Sequence, residues 1–234
     1  MRDLMVICPT LWRRGKVEKL IESWEATPRA GQTDLALITD RADSSYQGLT
    51  LPRGVRIWQT MEGEGGEMLS TADKTNIAAA GFWNDYRALM STGDDAWFMT
   101  THWDKLLLDP IADRPGFTYP DMTGREVGVP GICVISSPIV RALKWMFLPG
   151  LRHYWADNVW QDLGQQSGGT YKFIKECVFL DAYGPHDPTY TRAQSSSADD
   201  NETYKRWRTG PQFAQDIETV RKTIDTYTTR DWSC

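Results

Sequence analysis

The chain has 234 residues, of which 41% are hydrophobic and 24% charged, and its net charge is −5. This length predicts one domain, or one domain with a small appendage, and the composition excludes an intrinsically disordered or collagen-like chain. The acidic balance argues against a protein that coats nucleic acid through bulk charge, although it leaves room for a local basic patch. The apolar runs are far shorter than the roughly 20 residues that cross a bilayer, and the N-terminal run is too short for a signal-peptide core, so we expect a cytoplasmic protein with no membrane span.

The first elements in chain order predict a βαβ unit. Residues 4–8 form a continuous apolar run closed by Pro9, which is typical of a buried parallel strand. Residues 15–26 carry apolar side chains at helical spacing, and residues 35–39 are a second apolar run, which ends at Asp40. Strand, helix and strand at this spacing predict two parallel strands with a right-handed crossover, and therefore an α/β fold.

The next segment predicts a third strand, a loop and a helix. Residues 55–58 alternate like a strand, and the Gly-rich segment 62–67 predicts a flexible loop that could serve as a lid. Ser70 or Thr71 is expected to cap the following helix, which we expect to reach Tyr86.

A pair of carboxylates follows a short strand predicted over residues 88–92. The strand leads directly into Gly93, Asp94 and Asp95, and open α/β sheets bind ligands at the carboxyl ends of their strands. Gly-Asp-Asp is also a common turn, because aspartate side chains satisfy loop backbone groups. The chemical alternative is that two oxygen donors hold a Mg²⁺ or Mn²⁺ ion that bridges the diphosphate of a nucleotide.

The rest of the chain predicts further strands and helices around one core. The expected elements are an apolar strand over residues 130–136, a helix from Ser137 to about residue 146 that Ser137 caps, a last strand over 173–180, a Ser- and Asp-rich linker over 193–200, and a helical stripe over 213–224 that packs on the core. The four cysteines lie far apart without zinc-ligand spacing, which favours buried free thiols. Eleven tryptophans suit stacking on sugars and bases as well as core packing.

Three single residues have both a structural and a functional interpretation. Asp157 either caps a short helix that ends near Gly164 or acts as a general base on an acceptor hydroxyl. Asp40 is either a turn residue or an acceptor for a base or ribose at its strand end. His186 is a turn histidine by default and the best candidate for a third metal ligand.

Five segments carry a family resemblance. They are residues 8–14 (Cys-Pro-Thr-Leu-Trp-Arg-Arg), 38–40 (Ile-Thr-Asp), 74–76 (Lys-Thr-Asn), 93–95 (Gly-Asp-Asp) with Trp103 and Asp104 after it, and 149–160 (Pro-Gly-Leu-Arg-His-Tyr-Trp-Ala-Asp-Asn-Val-Trp). In this order they resemble the GT-A fold glycosyltransferases, particularly a family-2-like group of actinobacteria and their phages. The last segment is the most specific, and it is similar to a signature whose aspartate is the catalytic base.

The resemblance implies both a fold and an activity. The fold is a single GT-A (Rossmann-like) α/β domain over residues 1–190 with a mixed, mainly parallel sheet, and we expect a linker and a C-terminal helical extension over 191–234. The activity is a metal-dependent, inverting transfer of a sugar from a nucleotide sugar, with a UDP-sugar preferred, to an acceptor hydroxyl. Mn²⁺ or Mg²⁺ is the implied cofactor. Ala96 departs from the pattern, because it replaces the His or Asp that completes the metal motif.

The resemblance also assigns roles to particular residues. The catalytic base is Asp157, and the metal ligands are Asp94, Asp95 and, from its position in the turn, His186. The donor-binding residues are Pro9, Thr10, Arg13, Asp40, Lys74, Asn76 and Asp94. The expected acceptor-binding residues are Trp155, Asn158 and Trp160 from the matching segment, with Arg206 and Trp207 added from a basic stretch outside the resemblance that suits DNA.

The acceptor is open between several classes. Phage members of the group suggest hydroxymethylated pyrimidines such as 5-hydroxymethylcytosine in double-stranded phage DNA, or virion proteins, and a phage-encoded chain would act in the host cytoplasm. Arg206 and Trp207 suit DNA, since cations hold its backbone and aromatic rings stack a flipped base. The structural alternative is that Trp207 packs a helix beside a solvated charged face. Two rivals to an enzyme are a nucleotide- or carbohydrate-binding module without the chemistry, and a Trp-rich interaction protein.

Overall fold

A computed structural model of the chain describes residues 1–60, 68–123, 129–182, 191 and 193–227. The strands in this part are β1 Arg2–Pro9, β2 Thr33–Asp40, β3 Val55–Thr60, β4 Tyr86–Ser91, β5 Ala96–Phe98, β6 Gly116–Thr123, β7 Cys133–Ser136 and β8 Thr170–Asp181. The helices are α1 Arg14–Ala26, α2 Thr71–Phe82, α3 Trp103–Leu108, α4 Ser137–Leu143, α5 Ala156–Gln166, α6 Ser197–Thr209 and α7 Pro211–Thr226. Short 3-10 turns lie at Ser44–Tyr46 and Asp109–Ile111.

The strands form one mixed, mostly parallel sheet in the order β3-β2-β1-β4-β7-β6-β8-β5. β1 is parallel to β2 and β4, β2 is parallel to β3, and β6 is parallel to β8. β7 runs antiparallel to β4 and β6, and β5 runs antiparallel to β8. The βαβ unit expected from the first apolar runs is confirmed, and β2 is buried along its whole length, as a strand covered on both faces must be.

Two layers of helices cover the sheet. Along β1, Met5 and Ile7 face one layer, which contains apolar residues of α2, α4, α5 and α7. Leu4 and Val6 face the other layer, which contains α1 and α3. Because successive side chains on a strand point to opposite faces, one short apolar run supplies both halves of the core.

Aromatic residues fill much of the core. Trp103 stacks on Phe98 with ring centroids 4.6 Å apart, and Trp24 and Phe179 pack against Phe98 at 5.5 and 4.9 Å. Trp24 and Trp103 have no exposed surface. These tryptophans therefore serve packing and not ligand stacking.

Two expected helix boundaries are wrong. Helix α2, capped by Ser70 as expected, ends at Phe82 and not at Tyr86. Asp85 N–H closes a turn onto Phe82 O, and Tyr86 enters the sheet beside Arg2 of β1. Ser137 is not a cap, because it is already the first residue of α4.

The helix after the expected catalytic base also differs from expectation. Trp155 is the N-cap of α5, so Asp157 lies inside the first turn and does not cap the helix. The helix also continues past Gly164 to Gln166. A Cβ at Gly164 would lie 2.2 Å from the Tyr171 ring, so the glycine permits close packing on β8 and does not stop the helix.

The C-terminal helices are part of the fold. The expected stripe is confirmed, since Ile217, Val220 and Ile224 of α7 are buried and the helix packs on α4 and α5. The expected linker over 193–200 is wrong, because residues from Ser197 onward form α6 and residues 193 and 194 are also helical. The domain boundary at residue 190 stays a prediction.

Some expectations fall outside the described residues, namely the lid over 62–67 and His186. Cys8, Cys133 and Cys177 are buried free thiols, as expected. Within the ranges that the structure describes, every helix is too short or too polar to cross a membrane.

Candidate functional site

A cleft of about 1310 Å³ opens at the carboxyl ends of β1 and β4. Its walls come from the segment after β1, the segment after β4, the start of α2, and the turn that leads into α5. The cleft lining contains these predicted site residues: Pro9, Thr10, Arg13, Lys74, Asp94, Asp95, Trp155, Asp157, Asn158 and Trp160. A smaller cavity of about 210 Å³, lined by Asp3, Arg87 and Asp104 among others, contains none of them.

Asp94 and Asp95, here called the carboxylate pair, are held by hydrogen bonds and two cations. Thr10 Oγ1 donates to Asp94 Oδ2 at 2.5 Å. The Arg13 guanidinium contacts Asp94 Oδ1 at 2.7 Å and donates to Asp95 Oδ2 at 2.8 Å. Lys16 Nζ donates to Asp95 Oδ2 at 3.2 Å. The pair therefore lies at the centre of a compact network of opposite charges.

The segment that carries Thr10 and Arg13 is fixed by the turn at Ser44–Tyr46. Tyr46 hydroxyl lies 2.7 Å from Thr10 Oγ1 and accepts the Arg13 N–H at 3.1 Å. Burial raises the pKa of Tyr46 to about 12, so this hydroxyl stays protonated. Trp12, between them, has a left-handed backbone with φ 54° and donates its N–H to Asp43. Such a strained residue persists only where its surroundings fix it, and this is typical of functional loops.

The two members of the carboxylate pair titrate differently. Burial raises the pKa of Asp94 to about 6, although Arg13 and the Thr10 hydrogen bond oppose the rise. Burial also acts to raise the pKa of Asp95, but Arg13 and Lys16 outweigh it and lower this pKa below its ordinary value. At neutral pH the pair is therefore largely ionised.

The carboxylate pair suits a divalent metal that is shared with a substrate. Asp94 Oδ1 faces Arg13 as an ion pair but accepts no hydrogen bond from the described residues, so a buried oxygen retains coordination capacity. One or two carboxylates plus substrate phosphates are a usual ligand set for Mg²⁺. No third His, Cys, Asp or Glu joins the pair within the described part of the chain. Ala96 provides no ligand, whereas Asp181, its partner across β5 and β8, also lines the cleft.

A buried ion pair lies behind the cleft wall. Lys74 Nζ donates to Asp40 Oδ2 at 2.6 Å and to Thr10 O at 3.4 Å. Both side chains are at most 4% exposed. Asp40 Oδ1 has no hydrogen-bond partner among the described residues, although it is buried. Asp40 therefore offers one acceptor that no described residue uses, one side chain away from the cleft.

Asn76 has a structural role in place of the expected donor contact. Its Oδ1 accepts the N–H groups of Met146 and Phe147 at 2.8 and 2.9 Å, and its Nδ2 donates to Phe147 O at 2.9 Å. The amide is thus used to brace the segment after α4, and Asn76 is outside the cleft lining.

Asp157 faces the cleft from the start of α5. Its Oδ1 accepts the N–H of Asn158 at 2.9 Å, and both residues line the cleft. Trp160 is 3% exposed and donates Nε1–H to Met146 O at 2.8 Å, so it supports the wall more than it offers a free face. Trp155 stacks on Tyr204 of α6, with ring centroids 5.1 Å apart and 18° between the planes. A half-buried aromatic wall therefore lies beside Asp157.

Asp200 of α6 fixes the turn before Asp157, and the sequence patterns did not reveal it. Its carboxylate accepts three consecutive backbone N–H groups, from Arg152, His153 and Tyr154, at 2.8 to 2.9 Å. Asp200 has no exposed surface. On the other side of the turn, His153 Nδ1 lies 3.1 Å from Thr71 Oγ1 of α2.

The expected acceptor contacts of α6 are not in the cleft. Trp207 is 5% exposed, donates Nε1–H to Asp216 at 2.8 Å, and packs edge-on against Phe213. A base cannot stack on a ring that is buried in this way, so the stacking role of Trp207 is wrong. Arg206 is exposed on α6, outside the cleft lining.

The fold is that of solved glycosyltransferases. The mannosyltransferase PcManGT from Pyrobaculum calidifontis, in complex with GDP-Man and Mn²⁺, has a TM-score of 0.65 at 13% identity over 95% of this chain and 70% of that one. S. aureus TarS 1-349 in complex with UDP-GlcNAc has a TM-score of 0.62 at 10% identity over 98% and 74%. GalNAc-T7 with UDP, GalNAc and Mn²⁺ has a TM-score of 0.61 at 13% identity over 99% and 56%.

These likenesses confirm the expected α/β fold of the GT-A type. At identities of 10–13% they concern the fold alone. No protein-family model matches the chain, and no curated protein matches it in sequence. The grouping with actinobacteria and their phages stays a prediction.

Proposed function

We propose that this protein is a glycosyltransferase that moves a sugar from a nucleotide-sugar donor to an acceptor hydroxyl with inversion at the anomeric carbon. The observation that carries the proposal is that one cleft of this fold is lined by the carboxylate pair, by Arg13 and, from a different element, by Asp157. The solved relatives in fold hold UDP-GlcNAc, GDP-Man or UDP, and two of them hold Mn²⁺.

The donor lies along the ends of β1, β2 and β4 in this proposal. Among the described residues, Arg13 and Lys16 are the cations nearest the carboxylate pair, and they contact the diphosphate when it binds. Asp40 Oδ1 accepts an N–H from the base, as uracil and guanine both offer, after Lys74 shifts within the wall. A UDP-sugar is the donor that we propose, as the family resemblance implies, and uracil offers an N–H that Asp40 Oδ1 can accept.

A divalent ion is part of the proposed site. Mn²⁺ or Mg²⁺, held by Asp94 and Asp95, would neutralise charge on the leaving diphosphate. The protein's own side chains do the remaining work on that side: Arg13 and Lys16 orient the phosphates, and Thr10 holds Asp94 in place.

Asp157 is the general base of the proposed reaction. It takes the proton from the acceptor hydroxyl while that oxygen forms a bond to the anomeric carbon. The bond between the anomeric carbon and the diphosphate oxygen breaks, and the nucleoside diphosphate leaves with the electron pair. A single displacement of this kind inverts the anomeric centre. Attachment to the first turn of α5 fixes the carboxylate, since Asn158 N–H donates to it.

The acceptor is a hydroxyl that packs against the aromatic wall of Trp155, with Asn158 and Trp160 beside it. Hydroxymethylated pyrimidines in double-stranded DNA remain the acceptor that we propose to test first. The aromatic ring that could stack a flipped base is that of Trp155, because Trp207 is buried. A virion protein or another glycan is the alternative acceptor.

Thermal unfolding with nucleotide ligands tests the proposed donor site. The protein is heated with UDP, GDP, UDP-sugars and GDP-sugars, each with and without Mn²⁺. A ligand at about 100 times its dissociation constant adds roughly 2.7 kcal/mol of stability, which is easily measured. We expect a rise for UDP and its sugars that is larger with Mn²⁺. No rise with any nucleotide would contradict the proposal, whereas a rise without turnover would identify a binding module.

A further inference from the structure

The carboxylate pair is already bound to cations of the protein itself. Arg13 reaches both members, at 2.7 Å to Asp94 Oδ1 and 2.8 Å to Asp95 Oδ2, and Lys16 adds a contact to Asp95 at 3.2 Å. The side chain of Asp94 is 1% exposed, and that of Arg13 is 19% exposed. Two carboxylates and two cations leave these four side chains without net charge. Within the described residues, the two cations therefore balance the charge of the carboxylate pair.

This neutrality constrains how a diphosphate can bind. Each phosphate of a nucleotide sugar carries a negative charge, and the neutral cluster has no spare positive charge for it. Arg13 uses Nη1 and Nη2 on the two carboxylates, so moving its guanidinium fully onto the phosphates takes it away from the carboxylate pair. When a buried carboxylate loses a strong countercharge, the folded protein is strongly destabilised. A divalent cation on the carboxylate pair removes this penalty, because it supplies the countercharge that Arg13 takes away.

We propose that Arg13 is a placeholder cation that exchanges partners. Without donor it neutralises Asp94 and Asp95, and it competes with a divalent metal for them. When metal and nucleoside diphosphate bind together, the metal takes the carboxylates and Arg13 moves to the phosphates. Metal and donor then bind cooperatively, and the free protein binds metal weakly. This inference rests on the proposed donor site, and it adds a role for Arg13 in coupling the two ligands.

The geometry favours Arg13 over Lys16 for this role. Arg13 is the only one of the two that contacts both carboxylates in the described structure, and its planar guanidinium matches two oxygens at once. Arg13 also lines the cleft. Its own backbone N–H and that of Trp12 are held by Tyr46 and Asp43. The backbone of Arg13 therefore stays in place while its side chain changes partners.

Binding of Mn²⁺ alone to the purified full-length chain provides the test, with free Mn²⁺ followed by electron paramagnetic resonance. The variants Arg13→Gln and Arg13→Met both remove the positive charge. Arg13→Met keeps an apolar stem, and it serves as the test if Arg13→Gln does not fold. Arg14→Gln is the matched control, because it makes the same charge change one residue later. Arg14 pairs with Glu18 and with the carbonyls of Ser45 and Gln47, away from the carboxylate pair.

We expect both Arg13 variants to bind Mn²⁺ at least about tenfold more tightly than the wild type, a difference of about 1.4 kcal/mol. Arg14→Gln is expected to match the wild type. UDP or GDP is expected to tighten Mn²⁺ binding by a larger factor in the wild type than in the Arg13 variants. By linkage, Mn²⁺ should tighten the binding of UDP or GDP by the same factor by which the nucleotide tightens Mn²⁺ binding.

Two results would overturn the inference, and they are distinguishable. If the Arg13 variants bind Mn²⁺ no more tightly than the wild type while UDP or GDP still raises the unfolding temperature, the placeholder role is wrong and the donor site stands. If neither nucleotide raises the unfolding temperature of any variant and Mn²⁺ binds to none, the placeholder role and the proposed function fail together.

Discussion

Asp200→Asn removes one of the two acceptor oxygens that fix the turn before the proposed base. The wild-type carboxylate accepts Arg152 N–H on one oxygen and the N–H groups of His153 and Tyr154 on the other. An asparagine has only one oxygen that can accept. Even with that oxygen turned toward His153 and Tyr154, the N–H of Arg152 faces an amide NH₂ group and loses its partner.

The loss in unfolding free energy of Asp200→Asn can be worked out from these three hydrogen bonds. A hydrogen bond to a charged group contributes about 1.5–3 kcal/mol, and a neutral one about 1 kcal/mol. Losing one bond and weakening two therefore lowers the free energy of unfolding by about 3 kcal/mol. Folded domains have about 5–15 kcal/mol in total, so the variant should still fold. The turn before Asp157 should open far more often than the rest of the chain.

Urea unfolding and amide hydrogen exchange measure the two effects. We expect a lower unfolding free energy and lost protection of the amides of residues 152–154. Asp104→Asn is the matched control, since Asp104 is equally buried and accepts the N–H groups of Ala30 and Gly31 and the Thr33 hydroxyl. It lies outside the cleft lining, and its variant should lose protection at residues 30–31 only. If Asp200→Asn lowers stability by less than 1 kcal/mol, or leaves residues 152–154 protected, the reasoning is wrong.

Three further predictions follow from the same structure. Asp157→Asn should keep the thermal shift with UDP and Mn²⁺ but reduce sugar transfer by at least about 100-fold, because the variant lacks the general base. Transfer at the wild-type rate would show that Asp157 is not the base. Asp40→Asn should lower the unfolding free energy by about 3 kcal/mol in urea, because it leaves Lys74 buried without a countercharge, and it should weaken UDP binding; an unchanged stability would show that the pair is not buried in solution. Burial raises the pKa of the Cys133 and Cys177 thiols, so neither should react with a thiol reagent at pH 8 until urea unfolds the chain; rapid labelling of Cys133 or Cys177 in the native protein, located by peptide mapping, would contradict their burial.

The parallel half of the fold could be predicted because its signals are local. The apolar runs that became β1 and β2 are continuous and short, and the segment between them has a helical period. These features depend on neighbours in the chain, so they can be read without knowledge of tertiary contacts. The carboxylate pair could be placed for the same reason, since it directly follows a strand.

Contacts between distant residues could not be predicted from patterns. Asp200 lies in a Ser- and Asp-rich stretch that is typical of a linker, and only the folded chain brings it to residues 152–154. Trp207 lies in a basic stretch that is typical of a nucleic-acid contact, yet its ring is buried against Phe213. A helical pattern shows that a face is apolar, but it does not show what covers that face.

One residue of the site had a local signal that went unused. Lys16 lies three positions after Arg13 at the start of α1, and residues three apart share a helix face. This spacing predicts that both cations face the same ligand, and the structure places both on Asp95.

Release of nucleoside diphosphate from nucleotide sugars tests the central claim most directly. The protein is incubated with UDP- and GDP-sugars, Mn²⁺ and hydroxymethylated DNA, a virion protein extract or free glycans as acceptors, and Asp157→Asn is run beside it. The account predicts that the wild type releases the diphosphate and glycosylates one acceptor, and that Asp157→Asn does both at least about 100-fold more slowly. Equal release by both proteins, or no release from any donor whose binding has been demonstrated, would contradict the claim that this cleft transfers a sugar.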